Sequence, residues 1–193
     1  MNKPIVLLIS GKAENGKDLF ADAFICEASE KQRFRCLKIK YGDILKYVCK
    51  AYFGWNGEKD KVGREMLQQV GTNLCRNNNP EIWVNCVKEI VKGLQTEYDF
   101  VLVPDCRFPN ELDWSDTDFF TFTIRISRQN EDGTPYINHL TEEQKQHPSE
   151  TALDNYKFNY EIVNEKLDEI NAAANAVLCD ILKIDEDSNS KNI

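Results

Sequence analysis

An α/β fold, with a central, mostly parallel sheet of five strands and helices on its flanks, is predicted by three observations. Residues 4–9 are a continuous apolar run ending at Ser10-Gly11, the pattern of a strand buried on both faces of a parallel sheet. A second such run covers 98–103. Between these and the later strands lie helical patterns, and strands interleaved with helices imply right-handed crossovers around one sheet.

The elements follow in order. Residues 16–31 read as a helix: Phe20 and Phe24 lie one turn apart, with Ala21, Ala23, Ile25 and Ala28 filling the packing face. A strand is expected over 34–41. A helix over 44–53 stops around Gly54 and Gly57. Helices over 60–75 and 81–94 are separated by Asn77-Asn78-Asn79-Pro80, which no helix crosses readily. The strand over 98–103 ends at Pro104-Asp105, and 119–127 alternates as another. From 128 to 156 the chain turns polar, with a turn at Asp132-Gly133-Thr134-Pro135 and a short helix over 141–146; a polar excursion of that length inside a compact domain is a working loop or a disordered one. A last strand covers 160–163 and a closing helix 165–182. The tail, 184–193, is acidic and then Ser/Asn-rich, the composition of a disordered end.

Composition narrows the class. With 193 residues and 41% apolar content the chain holds one well-packed domain, over 1–183. Its net charge of −8 argues against a nucleic-acid or membrane-lipid partner, so an anion needs a local site. Seven cysteines, with no CxxC spacing, read as reduced, mostly buried thiols rather than a metal site. The N-terminal apolar run is too short for a membrane span and lacks a leader cleavage region, so a cytoplasmic location is expected.

The strongest motif is Gly11-Lys12-Ala13-Glu14-Asn15-Gly16-Lys17-Asp18, a GxxxxGK phosphate-binding loop between a buried strand and an amphipathic helix. Its backbone N–H groups and the helix dipole suit the phosphates of ATP, and Lys17 reaches the outer ones. Asp18 replaces the usual Ser or Thr; it either holds Mg²⁺, directly or through water, or favours the first helical turn. Asp105 stands at a strand's carboxyl end, where it orients Mg²⁺ or caps a helix, and Arg107 steadies a phosphate or forms a surface ion pair. Arg64, Gln68, Thr72 and Arg76 recur every four residues as one polar ridge, opposite Met66, Leu67, Val70 and Leu74. Such a ridge is a solvated face or a phosphate clamp, and Arg at both ends suits the clamp because a planar fork matches a phosphate dianion. Tyr41, Phe53, Trp55 and Trp83 are either stacking partners for a base or core.

Together these segments resemble the phage-type deoxynucleoside monophosphate kinases of the P-loop nucleoside monophosphate kinase group. The likeness runs over 10–170. It rests on the loop with GKD in place of GKS or GKT, from which Leu19, for a commoner Thr, departs, and on Tyr41-Gly42-Asp43-Ile44-Leu45-Lys46. It continues through the segment from Arg64 to Thr72, Arg76, Trp83, Asp105-Cys106-Arg107-Phe108-Pro109-Asn110-Glu111, His147-Pro148-Ser149-Glu150 and Asn164. Pro104 and Asn159 depart from the pattern.

The resemblance implies a three-layer P-loop NTPase fold with an acceptor-binding helical segment (42–96) and a lid (128–157). Gly11 to Leu19 would hold the ATP phosphates, Lys17, Arg107 and Arg128 would act on the transferring group, and Asp18 and Asp105 would serve Mg²⁺. Asp43, Lys46, Arg64, Gln68, Thr72, Arg76, Trp83 and Glu150 would bind the acceptor. The expected activity is ATP-dependent phosphorylation of a (deoxy)nucleoside 5′-monophosphate by a monomer or homodimer, in the host cytoplasm if the chain is viral. Two alternatives share the scaffold: a kinase of another small phosphorylated acceptor, phosphomevalonate-like, and a nucleotide-binding switch that phosphorylates nothing.

Overall fold

The computed structural model describes residues 3–58, 60–130, 132–164 and 167–190. The chain divides into two compact units: Met1–Lys38 with Thr96–Ile193, and Ile39–Gln95.

The first unit is built on a fully parallel five-stranded sheet in the order β2-β3-β1-β4-β5. Its strands are β1 (Ile5–Ser10), β2 (Cys36–Lys38), β3 (Phe100–Cys106), β4 (Phe120–Arg128) and β5 (Tyr160–Asn164). All six residues of β1 are buried, as its unbroken apolar run requires of a central strand. Helix α1 (Lys17–Cys26), which continues as a π-helical turn over Glu27–Lys31, packs with the closing helix of the chain. Phe20 and Phe24 lie in one core with Leu7, Ile9, Phe100, Leu102, Ile124 and Ile126 of the sheet and with Ile170, Leu178 and Ile181 of the closing helix. Phe24 meets Phe100 edge-on at 5.3 Å between centroids, and full burial of one such ring stabilises the fold by about 1.5–3 kcal/mol.

Three elements depart most from the sequence expectation. The edge strand β2 is three residues long, because it pairs with β3 only over Cys36–Lys38, and the chain is helical again from Tyr41. Strand β3 does not stop at Val103. It passes through Pro104 to Cys106, with a register shift against β1 between Leu8 and Ser10. Proline has no N–H for the ladder, and a bulge is where a central strand tolerates it; Asp105 therefore sits inside the bulged end of β3. The closing helix runs Leu167–Ser190, past both the expected end at 182 and the start of the expected disordered tail. Residues 191–193 of that tail lie outside the described residues. Asn159, the other departure, ties β5 to β4: its Oδ1 accepts from Thr123 N–H at 2.8 Å and from the Thr123 hydroxyl at 3.0 Å.

The second unit is helical. It contains α2 (Tyr41–Tyr52), α3 (Lys61–Gln68) with a π-helical continuation over Gln69–Arg76, and α4 (Ile82–Gly93). Asp60 caps α3 by accepting from Gly63 N–H at 2.7 Å. Cys49, Trp55 and Val70 form its small core with Leu45, Met66, Leu67 and Cys75. The remaining helices belong to the first unit: α5 (Glu142–Lys145), with a Thr141–Gln144 capping box as the expected short helix, then α6 (Pro148–Thr151) and α7, the closing helix. No helix among the described residues is long and apolar enough to cross a membrane.

Candidate active site

The loop between β1 and α1 is shaped by glycine. Gly11 has φ 154°, and a Cβ there would lie 2.3 Å from the Ile126 carbonyl oxygen. Gly16, at φ 91°, caps α1, and a Cβ there would lie 2.7 Å from the Asn164 amide nitrogen. Both have the positive φ that favours glycine, and at Gly11 the close approach of neighbouring backbone requires it as well. Glu14 also takes positive φ, 64°.

Lys17 is the first residue of α1 and is buried. Its ammonium donates to the carbonyls of Gly11 at 2.6 Å and Lys12 at 2.7 Å, so it lies folded back into the loop. Its pKa is pushed down to about 8, by burial first and then by Arg107 and Arg125, with Glu150 and Asp18 opposing the shift. The loop therefore holds a cation whose charge burial makes costly.

Arg107 follows β3 and is held in place from behind. Glu111, 1% exposed, accepts from the backbone N–H groups of Arg107 at 2.5 Å and Phe108 at 3.1 Å. The Arg107 guanidinium donates to Ser149 O at 3.3 Å and pairs with the Glu150 carboxylate. Glu150 in turn accepts from Ala13 N–H at 2.9 Å. The structure thus brings Glu150 to the loop between β1 and α1. Cys106, between Asp105 and Arg107, is fully buried, and burial pushes its thiol well above the usual value.

Arg125 was not among the residues singled out from sequence. It lies on β4 in register with Ser10, donates to Asp154 at 3.1 Å and sits over the Phe158 ring at 5.6 Å. The available signal was an arginine flanked by two buried isoleucines in a central strand. Asp154 also accepts from Lys12 at 3.2 Å. Glu14 ties 128–157 to the loop as well: the Tyr136 hydroxyl donates to its carboxylate at 3.3 Å, the His139 N–H at 3.4 Å, and His139 Nδ1 lies 3.0 Å from the same oxygen. Hydrogen bonding to His139 lowers the Glu14 pKa. Arg128 ends β4 and stacks on Tyr136, 3.9 Å from the ring centre. His147 caps α6, its Nδ1 accepting from Ser149 N–H at 3.2 Å.

Of the two carboxylates expected to serve Mg²⁺, Asp18 lies in the first turn of α1, with its side chain 55% exposed and 3.9 Å from Lys38. Asp105 is half-buried at the end of β3. No cluster of three or more Cys, His, Asp or Glu suited to a metal occurs among the described residues. A Mg²⁺ carried in on ATP needs only one or two carboxylates beside phosphate and water, and Asp18 and Asp105 fit that demand in number and kind. The seven cysteines are free thiols, but only Cys49 and Cys106 are buried, against the expectation of mostly buried thiols; Cys26 and Cys179 are exposed.

In the helical unit, Arg64, Gln68 and Thr72 are exposed and Arg76 is half-buried. The π-helical continuation matters to this ridge. An α-helix carries a four-residue spacing forward around the axis, and the wider π turn draws it back, which keeps the four residues closer to one line. Asp43 and Lys46 pair on α2 at 2.6 Å. Trp83 is buried, with its indole N–H donated to Gly71 O at 3.1 Å. Tyr41 and Trp55 are buried as well, so Phe53, 47% exposed, is the one stacking candidate of the four that is open to solvent.

No family model matches the chain, and no curated protein matches it in sequence. Solved structures do match. The chain is similar to the Mycobacterium tuberculosis APS kinase CysC in complex with AMPPNP and APS, with a TM-score of 0.54 and 13% identity over 95% of this chain and 99% of that one. A mutant of the same APS kinase gives a TM-score of 0.50 at 12% identity with the same coverage. At such identity the likeness concerns the fold alone, an α/β architecture with a five-stranded parallel sheet and flanking helices.

Proposed function

We propose that the chain transfers the γ-phosphoryl group of ATP to the 5′-phosphate of a deoxynucleoside monophosphate, giving ADP and the nucleoside diphosphate. The observation that carries this reading is the glycine-shaped loop at the start of α1 with a buried, charge-stressed Lys17 and Arg107 beside it. That arrangement is built for the outer phosphates of a triphosphate. The bond from the γ-phosphorus to the bridging oxygen breaks and one to an acceptor phosphate oxygen forms. The acceptor oxygen is already an anion near neutral pH, so the protein supplies position and charge neutralisation rather than a base. Lys17, Arg107 and Arg128 serve the transferring group, and Asp18 and Asp105 would hold the Mg²⁺ that neutralises phosphate charge.

The acceptor side rests on the resemblance and on the Arg64–Arg76 ridge, with Asp43, Lys46, Gln68 and Thr72. The solved APS kinase carries AMPPNP and APS together, which supports a two-substrate reading of the same fold. Arg76→Lys tests it. Loss of the planar fork should raise the acceptor's KM or lower kcat by about 10-fold while the KM for ATP stays within about 2-fold. Wild-type kinetics in steady-state assays would make the ridge a solvated face.

A further inference from the structure

The phosphate loop carries two carboxylates of its own chain. Glu150 accepts from Ala13 N–H at 2.9 Å with one oxygen and pairs with Arg107 through the other. Asp154, four residues on, bridges Lys12 at 3.2 Å and Arg125 at 3.1 Å. The two acids thus engage a loop N–H, one loop lysine and both arginines that bear on Lys17. They do so unequally: the Glu150 side chain is 8% exposed and Asp154 37%. The Glu150 contacts are therefore charge-assisted and shielded from water, whereas those of Asp154 are largely screened.

A triphosphate on this loop needs the same kind of donors, and a carboxylate oxygen and a phosphate oxygen cannot both occupy them. We propose that Glu150 is an internal stand-in for a phosphate group: it fills the loop's anion site, and a triphosphate binds by displacing it from Ala13 and Arg107. The inference rests on the phosphate-loop reading, and it assigns Glu150 to the donor side. Two consequences follow physically. Affinity for a triphosphate is reduced by the fraction of time the site is self-occupied. Displacement also frees the Arg107 guanidinium, whose backbone Glu111 holds in place, to meet the incoming phosphate. The Asp154 pairs form a second, weaker tether on the same segment.

The test is calorimetric binding of AMPPNP and of inorganic tripolyphosphate to the full chain. Glu150→Gln keeps the shape and removes the charge, and should tighten both ligands by about 10-fold, the scale of one charge-assisted hydrogen bond. Asp154→Asn should tighten them by about 2-fold, as a half-exposed pair allows. Glu150→Asp retains the charge but shortens the reach; it should bind between wild type and Glu150→Gln, and it carries the test if the glutamine variant does not fold. Equal or weaker binding by these Glu150 variants, with wild type binding AMPPNP normally, would overturn the inference and leave the loop assignment standing. Failure of wild type and variants alike to bind either ligand would overturn both.

Discussion

Lys17→Ala is expected to lower turnover by at least about 10²–10³-fold, the cost of removing one positioned charge from a phosphoryl-transfer site, while the fold survives. The lysine is buried, but its hydrogen bonds go to two carbonyls of its own loop, and burial holds its pKa at about 8. The sheet core does not depend on it. The direction of that shift sets a pH signature. The folded value lies below the unfolded value near 10.5, so the unfolded chain binds more protons between about 8 and 10.5, and this group's contribution to stability rises with pH across that window. Phosphate binding runs the other way. The ammonium is lost as pH climbs through about 8, so the ligand-free protein should bind ATP progressively more weakly above that pH, and Lys17→Arg should flatten the decline. Steady-state assays with thermal melts check the alanine variant, and unaltered turnover would remove Lys17 from the site.

Gly11→Ala should be comparably damaging by a different route. The new Cβ would lie 2.3 Å from a backbone carbonyl oxygen of β4 and 3.3 Å from the Lys17 side chain, on a residue with φ 154°. A strand of the central sheet cannot yield as a side-chain tip can. Either the β1–β4 pairing opens or the loop is displaced. Strain and overpacking together should cost roughly 2–5 kcal/mol of stability, read by denaturant unfolding, with loss of ATP binding in the fraction that remains folded. Wild-type stability and binding would mean that the loop adopts a backbone with room for a Cβ at residue 11.

How much of this could be read from the chain depends on the range of the interactions involved. The loop, its strand and its helix were legible because β1 is one apolar run, the glycines are local, and Phe20 and Phe24 mark a helix face. Residues whose roles depend on partners far along the chain were not. Glu150 meets Ala13 and Arg107 across a polar segment without periodicity, and Arg125 looks like one more residue of an alternating strand until Asp154 and Ser10 come beside it. Pro104 argues against a strand by the usual rule, and only the register shift between β1 and β3 shows how the sheet carries it. The π-helical turn over Gln69–Arg76 escapes a reading at α-helical period, since the ridge from Arg64 to Arg76 repeats every four residues in either geometry. The closing helix outran its expected end because its last residues are acidic and polar, a composition that suggests a tail.

The most direct test of the central claim is to incubate the protein with MgATP labelled at the γ-phosphate and each common nucleoside and deoxynucleoside monophosphate, and to follow both ADP and label. The proposed activity predicts acceptor-dependent ADP release with the label recovered stoichiometrically in a nucleoside diphosphate, for at least one deoxynucleoside monophosphate. ATP binding with neither ADP release nor labelled diphosphate across the whole set would contradict it and favour a nucleotide-binding switch.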